Sequence, residues 1–274
     1  MRCCSAVLTK DSSADALVKL NGSVVRNNFE IVTNGVKGAI DFVRKNLHVE
    51  ALANLPYENL LVPLSVFFAD DANIQHKMTD GARREIIQWF WKTCLSRRYN
   101  SQPIKNLKED ILEIARLKAG ETSKLANVPI SLSAKMFLEN TFRINSVLSK
   151  SFILMLAQAG PRSYISGQKL NLSDVLKEYN RNEFHHIYPK SFLRLSGQQQ
   201  PDDTCFANIS FMSRTDNNAL GGSAPSVYRR KMPSNVNEII ESNLLTDNAF
   251  SDNYIDFSNA RAIRLMNYAS TLTT

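Results

Sequence analysis

The 274-residue sequence predicts an α+β chain that is mainly α. We expect an N-terminal helical domain over residues 1–170 and a smaller domain over 171–274 that contains two strands and C-terminal helices. Three observations support this class. Apolar residues recur at three- and four-residue spacing through the first two thirds of the chain. Near Gly160-Pro161 the sequence changes to short polar segments with turn residues, and two segments beyond that point have the composition of strands.

The first strongly periodic segment predicts an amphipathic helix. Five apolar residues at three- and four-residue intervals form one stripe of that helix, which we expect to be buried against other helices. These residues are Phe29, Val32, Val36, Ile40 and Val43.

Further helices are predicted along the same domain. Residues Tyr57–Phe68 are almost uniformly apolar, as expected of a helix at the centre of a bundle. Thr79 and Asp80 are suitable N-terminal caps for a helix that continues to Cys94. Phe152–Leu156 is predicted to be a buried helix of the same bundle.

The last third predicts short elements. Glu183–Tyr188 is compact enough to be a strand, and Asn208–Met212 alternates polar and apolar residues, which is typical of a second, half-buried strand. Gly221-Gly222 predicts a turn. The remaining segments predict three helices, over Ser223–Lys231, over Val236–Leu245 and around Phe257–Met266.

Composition limits the functional classes. The chain is 43% hydrophobic and 22% charged, which excludes disordered and low-complexity proteins. Its longest apolar run, Phe152–Ala157, is far shorter than the roughly 18 residues of a bilayer-spanning helix. We therefore expect a soluble, cytoplasmic protein with no membrane partner. The four cysteines have no spacing typical of a four-ligand zinc site.

The charge distribution predicts an anionic partner. The formal net charge is +7 and the isoelectric point is about 9.2. Residues 181–274 contain 9 Lys and Arg against 9 Asp and Glu, so the whole excess lies in residues 1–180.

Two of the four histidines, His185 and His186, are adjacent. Neighbouring side chains of a strand point to opposite faces, so this pair is not easily part of a single core cluster. At the end of a strand, one imidazole can bind a divalent cation while the other takes a proton from water. Hydrolysis of a phosphodiester requires this division of roles.

The order of motifs around this pair resembles a known nuclease family. The run His185–Leu193 is followed by Asn208–Phe211, by Asp216–Asn218 and by a Gly-Gly…Pro-Ser-x-Tyr segment that ends at Tyr228. This order resembles the HNH (His-Me finger) motif, and most closely the C-terminal nuclease domain of GmrSD-type modification-dependent restriction enzymes. The HNH domain of RNA-guided CRISPR nucleases has a similar order. The resemblance covers residues 183 to 231.

The resemblance implies a role for each matching residue. His185 would be a metal ligand, and His186 the general base. Asn208 would be the central asparagine that braces the loop holding His186. Asn217 would be the second metal ligand, in the helix that completes a ββα-metal finger. Asp216 is an alternative to Asn217, because hard cations prefer carboxylate oxygens.

The implied cofactor is a divalent ion, Mg²⁺ or Mn²⁺, although Ni²⁺ or Zn²⁺ can bind an imidazole more tightly without supporting turnover equally well. Basic residues flank the motif and are candidates for contacts with DNA phosphates, but each is equally well explained as ordinary surface charge. They are Lys190, Arg214, Arg229, Arg230 and Lys231.

These observations predict a metal-dependent DNA endonuclease or nickase that acts in restriction or phage defence. Its substrate is either modified or unmodified DNA. An alternative is a non-catalytic DNA-binding or partner-docking module that keeps the finger as a structural element, which the neutral charge of residues 181–274 favours. A ribonuclease is a third alternative.

The N-terminal part has a fainter resemblance to the helical segment that precedes the nuclease in GmrSD-type proteins. It rests on Leu55-Pro56-Tyr57, Trp91-Lys92 and Arg98–Ser101. Members of that family usually begin with a nucleotide-dependent domain, but the sequence contains no Gly-rich phosphate-binding loop. We therefore expect either a split or truncated member or a separate sensor or NTPase protein as its partner.

Overall fold

The computed structural model describes residues 1–70, 78–178, 183–198, 200–234 and 236–274. The chain divides into two compact units. The first comprises Met1–Ile130 with Leu272–Thr274, and the second comprises Ser131–Thr271. Among the described residues, no helix is long and apolar enough to cross a membrane.

The first unit is helical, as the sequence predicts. Its central helix, α5, is buried along almost its whole length, from Val62 to Phe67, and packs against α1, α4 and α7. The helices are α1 (Arg2–Thr9), α2 (Ala14–Val18), α3 (Gly22–Asn27), α4 (Phe29–Leu47), α5 (Leu61–Phe68), α6 (Asp80–Leu95) and α7 (Pro103–Lys118). Thr79 caps α6 as predicted, because its hydroxyl accepts a hydrogen bond from the Ala82 N–H.

The buried face of α4 differs from the predicted stripe. Phe29 is 64% exposed and Ile40 is 37% exposed, whereas Gly35 and Ala39 are buried. The difference has a steric cause. A Cβ atom at Gly35 would overlap the carbonyl oxygen of Ser65, so the missing side chain allows α4 and α5 to approach closely. Apolar periodicity does not detect a contact made by a glycine.

Gly35→Ala is expected to lower the free energy of unfolding of the first unit by about 1–3 kcal/mol, because the added methyl group must push the two helices apart. Urea unfolding followed by tryptophan fluorescence measures this, since both tryptophans, Trp89 and Trp91, are buried in α6. Gly81→Ala is the matched control. Its Cβ would lie 3.9 Å from the Thr79 hydroxyl oxygen, an ordinary van der Waals distance, so no loss is expected. Equal midpoints for Gly35→Ala and the wild type would refute the close-contact explanation.

The second unit contains eight helices and one two-stranded sheet within the described part of the chain. Its elements are α8 (Lys135–Glu139), α9 (Val147–Gln158), α10 (Leu172–Glu178), β1 (Phe184–His186), α11 (Lys190–Ser196), β2 (Ile209–Phe211), α12 (Arg214–Leu220), α13 (Pro225–Tyr228), α14 (Val236–Ser242) and α15 (Tyr254–Thr273). The strands are antiparallel, with Phe184 opposite Phe211, His185 opposite Ser210 and His186 opposite Ile209.

Helix α9 belongs to the same unit as the sheet. The Phe152 ring of α9 stacks on Phe206, with centroids 4.7 Å apart, and Phe142 packs 5.6 Å from Phe184 of β1. These aromatic contacts place the boundary between the compact units at residue 130, whereas the sequence predicts a change near residue 170. The change to short polar segments near Gly160 therefore lies within the second unit and does not mark its boundary.

A buried arginine connects the closing helix to the sheet. Arg261 of α15 is fully buried, and its guanidinium donates hydrogen bonds of 2.8 Å each to the carbonyl oxygens of Ala207 and Ile209. It also donates to the carbonyls of Leu244 and Asn243. Burial lowers the pKa of Arg261 to about 10, so this side chain stays protonated at neutral pH. The start of β2 is thereby fixed to α15.

Candidate functional site

Strand β1 presents the two adjacent histidines to opposite faces of the sheet. Residues opposite each other in an antiparallel pair share a face, so His185 lies with Ser210 and His186 lies with Ile209. His186 also shares its face with Phe184. Both histidines are half-buried. The pair is therefore arranged as the sequence predicts, with the two imidazoles directed to different surroundings.

Asn208 braces the segment that follows the histidines. It is fully buried at the end of a short 3-10 helix, Phe206–Asn208, immediately before β2. Its Oδ1 accepts a hydrogen bond of 2.8 Å from the Tyr188 N–H. Its Nδ2 donates to the carbonyls of Tyr188 and Asp203, at 3.1 and 2.8 Å. One side chain thus connects the end of β1 to the loop before β2, which makes Asn208 a positioning residue.

Further hydrogen bonds hold the same segment. The Ile187 N–H donates to the Asn208 carbonyl at 2.8 Å, and the Tyr228 hydroxyl donates to the Ile187 carbonyl at 2.9 Å. The Tyr188 ring stacks on Phe257 of α15, with centroids 4.8 Å apart. The backbone directly after His186 is therefore fixed from three directions.

Helix α12 starts next to the beginning of β1. The Met212 N–H donates to the Glu183 carbonyl at 3.0 Å, and the Ser213 hydroxyl caps the helix by accepting from the Asp216 N–H. Burial raises the pKa of Glu183, and the nearby carboxylates of Glu178 and Asp216 raise it further. The start of β1 thus lies close to the carboxylates of Glu178 and Asp216.

Asp216 and Asn217 have different surroundings. Asp216 is buried, and its two carboxylate oxygens accept hydrogen bonds from the Ser163 hydroxyl and the Tyr164 N–H, each 3.1 Å long. This carboxylate therefore anchors the loop at residues 163–164. Asn217 is half-buried, and its side chain makes no hydrogen bond within the described residues. The contrast favours the amide oxygen of Asn217 over Asp216 as a metal ligand.

The donor set determines which ion could bind. In the described ranges, no group of three or more His, Cys, Asp or Glu side chains is arranged to hold a metal ion. The predicted set, the His185 imidazole and the Asn217 amide oxygen, is smaller than such a group. If both bound one ion, two protein donors of nitrogen and oxygen type would leave coordination positions for water and phosphate, as catalysis by Mg²⁺ or Mn²⁺ requires.

Three of the five predicted DNA-contacting residues are engaged within the protein. The Lys190 ammonium lies 3.0 Å from the Asp203 carboxylate. The Lys231 ammonium donates to the Ala219 carbonyl near the end of α12, at 2.6 Å. The Arg229 guanidinium lies over the Phe250 ring, 5.8 Å from its centroid.

The other two residues, Arg214 and Arg230, are exposed, and their side chains make no hydrogen bond or ion pair within the described part of the chain. They are therefore the most accessible of the five predicted phosphate contacts.

Sequence reasoning did not identify the acidic loop near His186. Asp202 is exposed, and hydrogen bonds from the Thr204 hydroxyl and N–H lower the pKa of its carboxyl group. The positive charge of Lys190 lowers this pKa further. The loop before β2 therefore carries the negative charge of Asp202. The adjacent Asp202-Asp203 pair in an otherwise polar loop was the available signal in the sequence.

Comparison with protein families, curated proteins and solved structures finds no match to this chain. The functional argument therefore depends on the geometry of the site and on the motif order described above.

Proposed function

We propose that the protein is a metal-dependent endonuclease or nickase that hydrolyses DNA phosphodiester bonds, with β1, β2 and α12 forming a ββα-metal finger. The observation that carries the proposal is the bracing by Asn208, whose buried side chain holds the backbone directly after His186. The order β1, braced loop, β2 and α12 along the chain supports the proposal, because a ββα-metal finger has the same order of elements.

His185 and Asn217 would hold the divalent ion. When bound, such an ion stabilises negative charge on the phosphoryl oxygens and on the leaving oxygen. His186 accepts a proton from a water molecule, and the water oxygen forms a bond to phosphorus as the bond from phosphorus to O3′ breaks. The O3′ atom takes a proton from solvent, so the products are a 5′-phosphate and a 3′-hydroxyl. Asn208 acts indirectly, by fixing the backbone that carries His186.

The same proposal includes a biological setting. A role in restriction or phage defence in the cytoplasm, with a separate sensor or NTPase protein as partner, follows from the resemblance to GmrSD-type enzymes. The sequence contains no Gly-rich phosphate-binding motif. This favours a separate partner protein for any nucleotide-dependent step.

A non-catalytic DNA-binding or docking module is the second candidate. Two observations favour it. Residues 181–274 have equal numbers of basic and acidic residues, and Lys190 and Lys231 are already engaged inside the protein. A self-sufficient nuclease usually has more basic surface than this, because phosphate contacts provide most of the affinity for DNA.

Cleavage of supercoiled plasmid tests the proposal directly. The wild-type protein is incubated with plasmid and Mn²⁺ or Mg²⁺, with EDTA as the control, and relaxed and linear products are separated on a gel. We expect conversion that depends on the metal. Matched DNA and RNA duplexes then distinguish a deoxyribonuclease from a ribonuclease. DNA binding without cleavage in either metal would refute the catalytic proposal and favour the docking module.

A further inference from the structure

A small cavity lies between α11 and the loop before β2. Its volume is about 270 Å³. Lys190 and Arg194 are four residues apart on α11, so they share the helix face that borders the cavity. Buried Leu193 also lines it. We call this space the α11 cavity, and its lining residues are Lys190, Leu193, Arg194, Gln198, Asp202 and Asp203.

A carboxylate occupies the basic side of the α11 cavity. The Asp203 Oδ1 atom lies 3.0 Å from the Lys190 Nζ atom. The backbone of Asp203 is fixed, because its carbonyl accepts the hydrogen bond from Asn208 Nδ2. Arg194, by contrast, is exposed, and its side chain makes no hydrogen bond or ion pair within the described residues. The cavity thus contains one cation paired with Asp203, one cation that is open to solvent, and the second carboxylate of Asp202 at its rim.

We propose that the α11 cavity binds one phosphate of the DNA backbone, and that Asp203 takes the place of this phosphate when DNA is absent. This inference rests on the proposed function, because it assigns DNA as the ligand. A carboxylate and a phosphate oxygen are alternative acceptors for the same ammonium group. The pair is partly exposed, so it is weak enough to open when a phosphate arrives. Lys190 and Arg194 would then contact the phosphate together.

DNA binding in EDTA tests this proposal without cleavage. The binding of a fluorescently labelled DNA duplex is followed by anisotropy for the wild type, Asp203→Asn and Asp247→Asn. Asp247 is exposed and lies outside the cavity, so Asp247→Asn makes the same charge change elsewhere in the second unit. We expect Asp203→Asn to bind the duplex about three- to tenfold more tightly than the wild type or Asp247→Asn. The slope of its logarithmic binding constant against the logarithm of salt concentration should also be steeper, by about one released counterion.

The double variant Lys190→Ala/Asp203→Asn distinguishes the loss of the ion pair with Lys190 from the general effect of removing one negative charge. We expect it to bind DNA no more tightly than Lys190→Ala alone. A gain that persists without Lys190, or an equal gain in Asp247→Asn, would overturn the proposal.

The two proposals fail separately. If the wild type cleaves plasmid and Asp203→Asn gains no affinity, only the α11 cavity proposal is wrong. If Asp203→Asn gains affinity through Lys190 but no variant cleaves DNA, the cavity proposal stands and the nuclease proposal is wrong.

Discussion

His186→Ala is expected to lower plasmid cleavage by about 10²–10⁴-fold, the usual contribution of a positioned general base. The imidazole is the group proposed to accept the proton from the attacking water, and alanine has no atom that can replace it. The measurement is the initial rate of conversion of supercoiled plasmid in Mn²⁺. Because β1 is held by its pairing with β2 and by the Asn208 bridge, the variant should still fold.

His48→Ala is the matched control for this variant. His48 lies at the end of α4 in the first unit, so the same substitution is made outside the unit that contains the proposed site. We expect His48→Ala to cleave at the wild-type rate. If the wild type and His186→Ala convert plasmid equally, His186 is not the base and the mechanism is wrong.

Asn208→Ala is expected to lower the free energy of unfolding of the second unit by about 2–4 kcal/mol. It removes the partner of the buried Tyr188 N–H and of two carbonyl groups, and each buried polar group left without a partner costs about 1–3 kcal/mol. Hydrogen exchange of the Ile187 and Tyr188 amides measures this loss locally. Cleavage should also fall, because the backbone after His186 is no longer held.

Asn217→Ala provides the contrast. Its side chain makes no hydrogen bond in the described residues, so we expect amide exchange at Tyr188 to stay within about 0.5 kcal/mol of the wild type. Cleavage should nevertheless fall, because a proposed metal ligand is lost. If the two asparagine variants lost stability equally, the separation of bracing and ligand roles would be refuted.

Much of the fold followed from local patterns. The capped helix α6 and the two strands lie within the segments that the sequence predicts, since each depends on residues close together in the chain. The prediction was wrong in two details: α5 begins at Leu61 instead of Tyr57, and β2 is fully buried instead of half-buried. The buried face of α4 did not follow, because it is determined by the approach of Gly35 to α5. A hydrophobic pattern depends on apolar side chains, whereas the contact between α4 and α5 depends on the absence of a side chain at Gly35.

The candidate site shows the same limit. The order of His185, His186, Asn208 and Asn217 could be read directly from the sequence. The hydrogen bonds that hold Asp216 come from residues 163–164, about 50 positions earlier, and no local pattern predicts them. The pairing of Lys190 with Asp203 likewise depends on how the loop before β2 returns to α11.

Direct titration of Mn²⁺, followed by the electron paramagnetic resonance signal of the free ion, tests the central claim that His185 and Asn217 bind one divalent ion. We expect one bound ion per chain in the wild type and in His186→Ala, because the base is not a ligand. His185→Ala and Asn217→Ala should each bind Mn²⁺ at least about tenfold more weakly. A wild-type protein that binds no Mn²⁺, or a His185→Ala variant that binds it equally well, would contradict the claim.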